Sequence, residues 1–189
     1  MNFNDQDEIE IRFSGTGGQG LVLASIILGE AMVKEGFNVI QGVSHGIEAR
    51  GTASREEVIA GKKEIYNLSV ELPDIFVSIS QDACTKYYKQ IKKNALVIGD
   101  SGMVNDLPTF NSKSVYVFPF TELLKERLDT TLPTNIAFLG TLIGLTNLTP
   151  VRTMEKAMLN RVPKGSGSMN LKAFRLGLEL AKGAKTLGT

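Results

Sequence analysis

Ile9, Ile11 and Phe13 alternate with Glu10, Arg12 and Ser14, a period of two that predicts a β-strand. Leu21 to Val33 is almost continuously apolar and predicts a buried helix. Further along, Phe37–Ile40, Glu57–Ala60, Asp74–Ser80, Ala95–Ile98 and Ser114–Phe118 read as strands, with helices over about Asp82–Lys92 and Thr121–Leu128. The C-terminal third is helical: Thr134–Leu145, then a helix through Asn160, then Ser168 to about Lys182 after the Pro163–Gly167 link. Thr149-Pro150 predicts an N-cap followed by proline at the first helical position. Gly140 and Gly144, four apart, fall on one helix face and would let another backbone come close. Strands alternating with helices imply an α/β domain with a mainly parallel, doubly wound sheet and a helical C-terminal third.

Between the first strand and the first helix stands Gly15-Thr16-Gly17-Gly18-Gln19-Gly20. Four glycines let the backbone bend tightly and approach a ligand, while the opening N–H groups and dipole of the helix favour an anion. The spacing fits G-x-G-x-x-G, a fingerprint shared with dinucleotide enzymes, but the second strand ends at Gln41 where such enzymes supply a carboxylate for the ribose. Leu21 and Val22 replace the Lys-Ser or Lys-Thr pair of a Walker loop. From these residues alone the glycines serve either an anion cradle or close strand-to-helix packing.

Composition narrows the chemistry. The 189 residues, 42% hydrophobic, suffice for one sizeable core, so residues 1–189 are expected to form a single domain, with residues 1–7 disordered. Twenty-one Lys and Arg face 20 acidic residues for a formal net charge of +1, and no long basic run appears, which argues against nucleic acid. The apolar runs stop short of the ~20 residues needed to span a bilayer, and Met1–Glu10 lacks a signal-type apolar stretch; the reading is a cytoplasmic protein with no membrane partner. One cysteine, Cys84, and one histidine, His45, leave no metal or iron–sulfur ligand set and no convincing nucleophile or base. The expected catalytic and metal residues on this chain are none.

The second unusual stretch is Ser44-His45-Gly46-Ile47-Glu48-Ala49-Arg50-Gly51-Thr52-Ala53-Ser54-Arg55, polar and glycine-punctuated after the second strand. If that strand neighbours the first, this is where a doubly wound sheet puts its ligand crevice. Arg50 and Arg55 are the charged candidates; arginine suits phosphate and an intersubunit carboxylate alike. Arg55 leans toward an interface or plain surface position, and Asn135 toward capping its own helix.

Taken together, the Gly15–Gly20 turn with its helix, Ser44–Gly61, Leu72-Pro73-Asp74, Asn135–Gly140 and Asn170–Phe174 make the chain resemble the gamma subunit of the 2-oxoacid:ferredoxin oxidoreductases. That unit is equivalent to domain III of single-chain pyruvate:ferredoxin oxidoreductase, and the resemblance covers nearly the whole chain. His45 and Thr52 depart from the family's usual tyrosine and second glycine. The resemblance implies a three-layer α/β domain that works only inside a heteromeric enzyme of the pyruvate, ketoisovalerate or 2-oxoglutarate type, typical of anaerobic metabolism. It implies alpha and beta partners, and in some members delta, that carry thiamine diphosphate, Mg and iron–sulfur clusters, with ferredoxin as electron acceptor. It also implies that Gly15, Gly17, Gly18, Gln19, Gly20 and Arg50 help bind coenzyme A, Gln19 donating a side-chain hydrogen bond. The wording of residues 48–55 is most like 2-oxoglutarate-type members. The alternatives are a free-standing NAD(P)-dependent dehydrogenase and a purely structural subunit with no ligand.

Overall fold

The computed structural model describes residues 6–43, 52–110, 112 and 114–184. Six strands and six helices follow one another as β1 (Glu8–Thr16), α1 (Leu21–Lys34), β2 (Asn38–Val43), β3 (Ala53–Gly61), β4 (Ile75–Ser78), α2 (Gln81–Tyr87), β5 (Leu96–Asp100), β6 (Ser114–Phe118), α3 (Phe120–Leu128), α4 (Thr134–Thr146), α5 (Val151–Arg161) and α6 (Gly167–Lys182). They build one sheet in the order β2-β3-β1-β4-β5-β6. β1, β4, β5 and β6 pair in parallel, whereas β3 lies antiparallel between β1 and β2. The first two strands are therefore not neighbours: β3 follows β2 as its antiparallel partner and takes the place beside β1.

Ile9, Ile11 and Phe13 point to the larger core, where Val58, Ala60, Ile75, Val77 and Ile98 meet α1, α3, α4, α5 and α6. On the opposite face Phe76, Val97 and Val115 pack under α2 through Ala83 and Tyr87, and under Ile91 just beyond it, completing three layers. α4 shows no strong polar side because it is enclosed; eleven of its thirteen residues are buried. The backbone that approaches Gly140 and Gly144 is that of α6. A methyl carbon on Gly140 would overlap the Phe174 carbonyl, one on Gly177 would overlap the Ala137 carbonyl, and one on Gly144 would stand 2.5 Å from Ala181 Cβ. Thr141 Oγ1 donates to Gly177 O at 3.0 Å across the same contact.

Two boundaries differ from those the pattern predicts. α2 stops at Tyr87 rather than Lys92, because the chain is turned away there: the Gln90 carbonyl accepts from Arg12 Nη1 at 2.9 Å, and Lys92 N–H donates to Pro73 O at 3.2 Å. α5 begins at Val151 with Pro150 itself in the cap position, its ψ of 139° extended rather than helical. Thr149 thus precedes the cap, and its hydroxyl is buried without a hydrogen-bond partner among the described residues.

Candidate functional site

The carboxyl ends of β1, β4 and β5 open onto a cavity of about 220 Å³ lined by Gly18, Gln19, Ile79, Met103, Thr121, Thr131, Leu132 and Thr134. The first turns of α3 and α4, and the loop leading into α1, come to its wall, which is where an open parallel sheet places a ligand. Neither α1 nor α4 has a side-chain cap from its N-cap residue, so the positive ends of both helices are left to other partners. α3 is served differently. Asp100, fully buried at the end of β5, accepts Thr121 N–H at 3.1 Å and the Thr121 hydroxyl, while its other oxygen takes Gly102 N–H at 2.9 Å. This carboxylate fixes the β5 end of the cavity against the start of α3, a role the sequence pattern did not flag.

Within the turn the glycines divide their work. A side chain on Gly15 would displace the Gln19 amide, whose Oε1 would sit 2.5 Å from its Cβ. That oxygen accepts Thr16 N–H at 2.6 Å, and Gln19 N–H donates to Thr16 O at 3.1 Å, so Gln19 Oε1 is an internal clasp of the turn. Gly20, at φ 74°, faces the Asn135 amide, whose Nδ2 donates to Gly20 O at 2.9 Å. Asn135 is therefore the bolt between α4 and the turn. It does not occupy the cap position, which belongs to Pro133, although its Oδ1 accepts Ile136 N–H at 2.9 Å. Gly17 N–H is directed to Thr52 O at 3.3 Å. Of the turn's glycines, Gly18 alone combines a positive φ, 102°, with open space: nothing lies within 4 Å of where its Cβ would be.

A second, open groove of about 580 Å³ runs on the other side of the turn, between Gly17, Gly18 and Gly20, the start of α1, and Ser54 and Glu56 of β3. Gly18 borders both spaces. Arg50, with His45, Glu48 and the rest of Ser44–Gly51, lies outside the described residues. Arg55 is committed within the chain: its guanidinium stands 5.4 Å from the Tyr87 ring centroid, and its Nε is 3.5 Å from Glu57 Oε1. Burial pushes the Cys84 thiol up, which disfavours the nucleophilic thiolate. Among the described residues no three of His, Cys, Asp and Glu cluster as a metal site, and no helix is long and apolar enough to cross a membrane.

One functional-looking side chain escaped the sequence reading. Arg12, in a polar slot of β1, is fully buried beneath the sheet's second face. Its Nε donates to Glu57 Oε1 at 2.8 Å and its Nη2 to Val70 O at 2.7 Å. Burial pulls this guanidinium below its ordinary range, and the Glu57 carboxylate pushes back. A charged residue in an otherwise standard strand alternation was its only signal.

The cavity lies at the carboxyl end of a largely parallel sheet, bordered by the starts of α3 and α4, the place where open α/β sheets take their ligands. Residues 10–180 match the family described as pyruvate ferredoxin/flavodoxin oxidoreductase. The chain is 42% identical to the 2-oxoglutarate synthase subunit KorC of Methanocaldococcus jannaschii over 175 residues, 92% of this chain and 94% of that one. Its structure resembles that of the keto/oxoacid ferredoxin oxidoreductase gamma subunit from Geobacter sulfurreducens, with a TM-score of 0.86 and 35% identity over 95% of this chain and 100% of the other. The fold also recurs in 2-oxoglutarate:ferredoxin oxidoreductase from Magnetococcus marinus, with a TM-score of 0.82, 20% identity, and coverage of 97% of this chain but 32% of that longer one. The chain belongs to the pyruvate ferredoxin/flavodoxin oxidoreductase family, among its gamma-type subunits.

Proposed function

We propose that this chain is the gamma-type subunit of a 2-oxoglutarate:ferredoxin oxidoreductase, and that it contributes assembly contacts and part of the coenzyme A site rather than the redox chemistry. The observation that carries the reading is Gly18: a left-handed glycine facing open space beside the uncapped start of α1. Backbone N–H groups at such a place suit the phosphates of coenzyme A, because they supply hydrogen bonds and partial positive charge without a flexible side chain to order. Gly15, Gly17, Gly20 and Gln19 keep the turn in shape, and Arg50 is the charged candidate from the adjoining segment. The 2-oxoglutarate assignment rests on the identity to the KorC subunit.

Decarboxylation and electron transfer belong to thiamine diphosphate, Mg and iron–sulfur clusters held by alpha and beta partners, with a delta partner in some assemblies and ferredoxin as the final acceptor. The dehydrogenase alternative loses its geometric support, since the strand beside β1 on the β2 side is the antiparallel β3 and a dinucleotide ribose finds no second parallel strand there. The experiment is reconstitution. The purified chain alone should not turn over 2-oxoglutarate with coenzyme A and a viologen dye; adding purified alpha and beta subunits should restore turnover. Turnover by the chain alone, or no gain when it joins its partners, contradicts the proposal.

A further inference from the structure

Val22, Ile26, Gly29 and Val33 follow one another along α1 in steps of four, three and four, which sets them in one stripe on the helix. The stripe is left uncovered: Val22 is 46% exposed and Val33 55%, with Ile26 half-buried between them. It is also continuous. Ile26 lines both the groove of about 580 Å³ beside the glycine turn and a further groove of about 840 Å³ that takes in Gly29, Val33, Val39 and Gln41.

β2 borders this second groove and is the end strand of the sheet. Its Asn-Val-Ile-Gln-Gly-Val sequence holds no charge and no proline, and its pairing with β3 runs without a bulge from Asn38 to Val43. The outer edge thus carries none of the devices that keep an edge strand from pairing. Stripe and edge are tied together. Gln41 Nε2 donates to Ser25 Oγ at 2.7 Å, and a Cβ on Gly29 would meet Val39 Cγ1 at 3.3 Å. The middle of the stripe, between Ile26 and Gly29, therefore stands over Ile40, at the middle of β2.

We infer that this face is the contact between two copies of this chain, related by a two-fold axis normal to the sheet at Ile40. Register selects a copy. The axis sets α1 antiparallel to α1 of the second copy, so that Val22 faces Val33 and Ile26 faces Gly29, which lines its groove with no side chain of its own, and each contact occurs twice. The same axis lays the two β2 strands antiparallel, Ile40 opposite Ile40 and Val39 opposite Gln41, with side chains kept on their own faces. The spacings agree. α1 rides over β2 and β3, about one strand spacing of 4.8 Å from the axis, which puts the two helices about 10 Å apart, within the range of packed helices. Glu30, Lys34, Glu56 and Arg161 line the two grooves, two of each sign, and Glu30 pairs with Arg161, so the face has no single sign for a copy to repel.

The test is made on the purified full-length chain, which should sediment as a dimer. Val22→Lys and Val33→Glu should each raise the dimer dissociation constant by about tenfold or more, since each sets an unpaired charge in the contact twice. Combined in one chain, they place opposite charges face to face across the axis and should bring the constant back to within about threefold of wild type. The two positions lie about 16 Å apart along α1, so this rescue cannot arise inside one chain. Amide exchange in β2 of the unsubstituted chain should also slow as its concentration rises, a readout that needs no variant. A monomeric chain, a dimer unmoved by both single variants, a double variant no tighter than the singles, or β2 exchange independent of concentration overturns the inference. Loss of alpha or beta subunit binding by the single variants of a monomeric chain gives the face to that subunit instead. Reconstitution with alpha and beta subunits tests the subunit reading separately, whatever the lone chain does.

Discussion

Glycine does opposite work in two regions of this molecule. Between α4 and α6, Gly140 and Gly177 each make room for a carbonyl of the facing helix, and the space a side chain would occupy is filled by protein. In the β1–α1 turn, Gly15 and Gly20 are filled in the same sense, by Gln19 and Asn135, but Gly18 faces open space. The lesson is that glycine marks a backbone approach without saying what approaches. At the helix pair the partner is already in the chain; at Gly18, as at Gly36 and Gly165, the described residues leave the space open.

Substitution should separate these uses by size of effect. Gly177→Val forces α4 and α6 apart along their whole contact, and overpacking of that kind should cost about 3 kcal/mol or more, seen as a large drop in the urea midpoint. A wild-type midpoint would mean that the helix contact is looser than the structure shows. Gly20→Ala should cost about 2 kcal/mol, from the left-handed backbone together with pressure on the Asn135 bond to Gly20 O. Asn135→Ala removes the crowded amide, so in that background Gly20→Ala should cost less; strict additivity of the two would show that they do not communicate. Gly18→Ala meets no neighbour and should cost only the backbone strain, about 1 kcal/mol by thermal or chemical melting of the lone chain. A much larger loss would mean that Gly18, too, is filled.

The sequence made this comparison only half legible. Alternation at Ile9, Ile11 and Phe13 and the apolar run from Leu21 gave β1, turn and α1 in place, because burial writes itself into the period. Gly140 and Gly144 announced a close backbone, and it is α6. What could not be read was pairing. Nothing in Phe37–Ala60 says that β3 should enter beside β1, since strand order depends on contacts distant in the chain. Arg12 looked like any polar residue of an amphipathic strand, and only the fold brings Glu57, Val70 and Gln90 to meet it. In the same way Gln19 was legible as a polar residue at a helix start, but its direction was settled by Gly15, whose missing side chain admits the amide into the turn.

Whether Gly18 is open for coenzyme A is tested most directly in the reconstituted enzyme. The Michaelis constant for coenzyme A should be measured for Gly18→Ala under conditions where the variant is fully folded and fully assembled. The added methyl should push a phosphate off the backbone N–H groups of the turn, and one such bond, about 1.5 kcal/mol, predicts a rise of about tenfold, with kcat at saturating coenzyme A and the Michaelis constant for 2-oxoglutarate unchanged. An unchanged constant for coenzyme A in a fully assembled enzyme would contradict the account and leave the turn as packing alone.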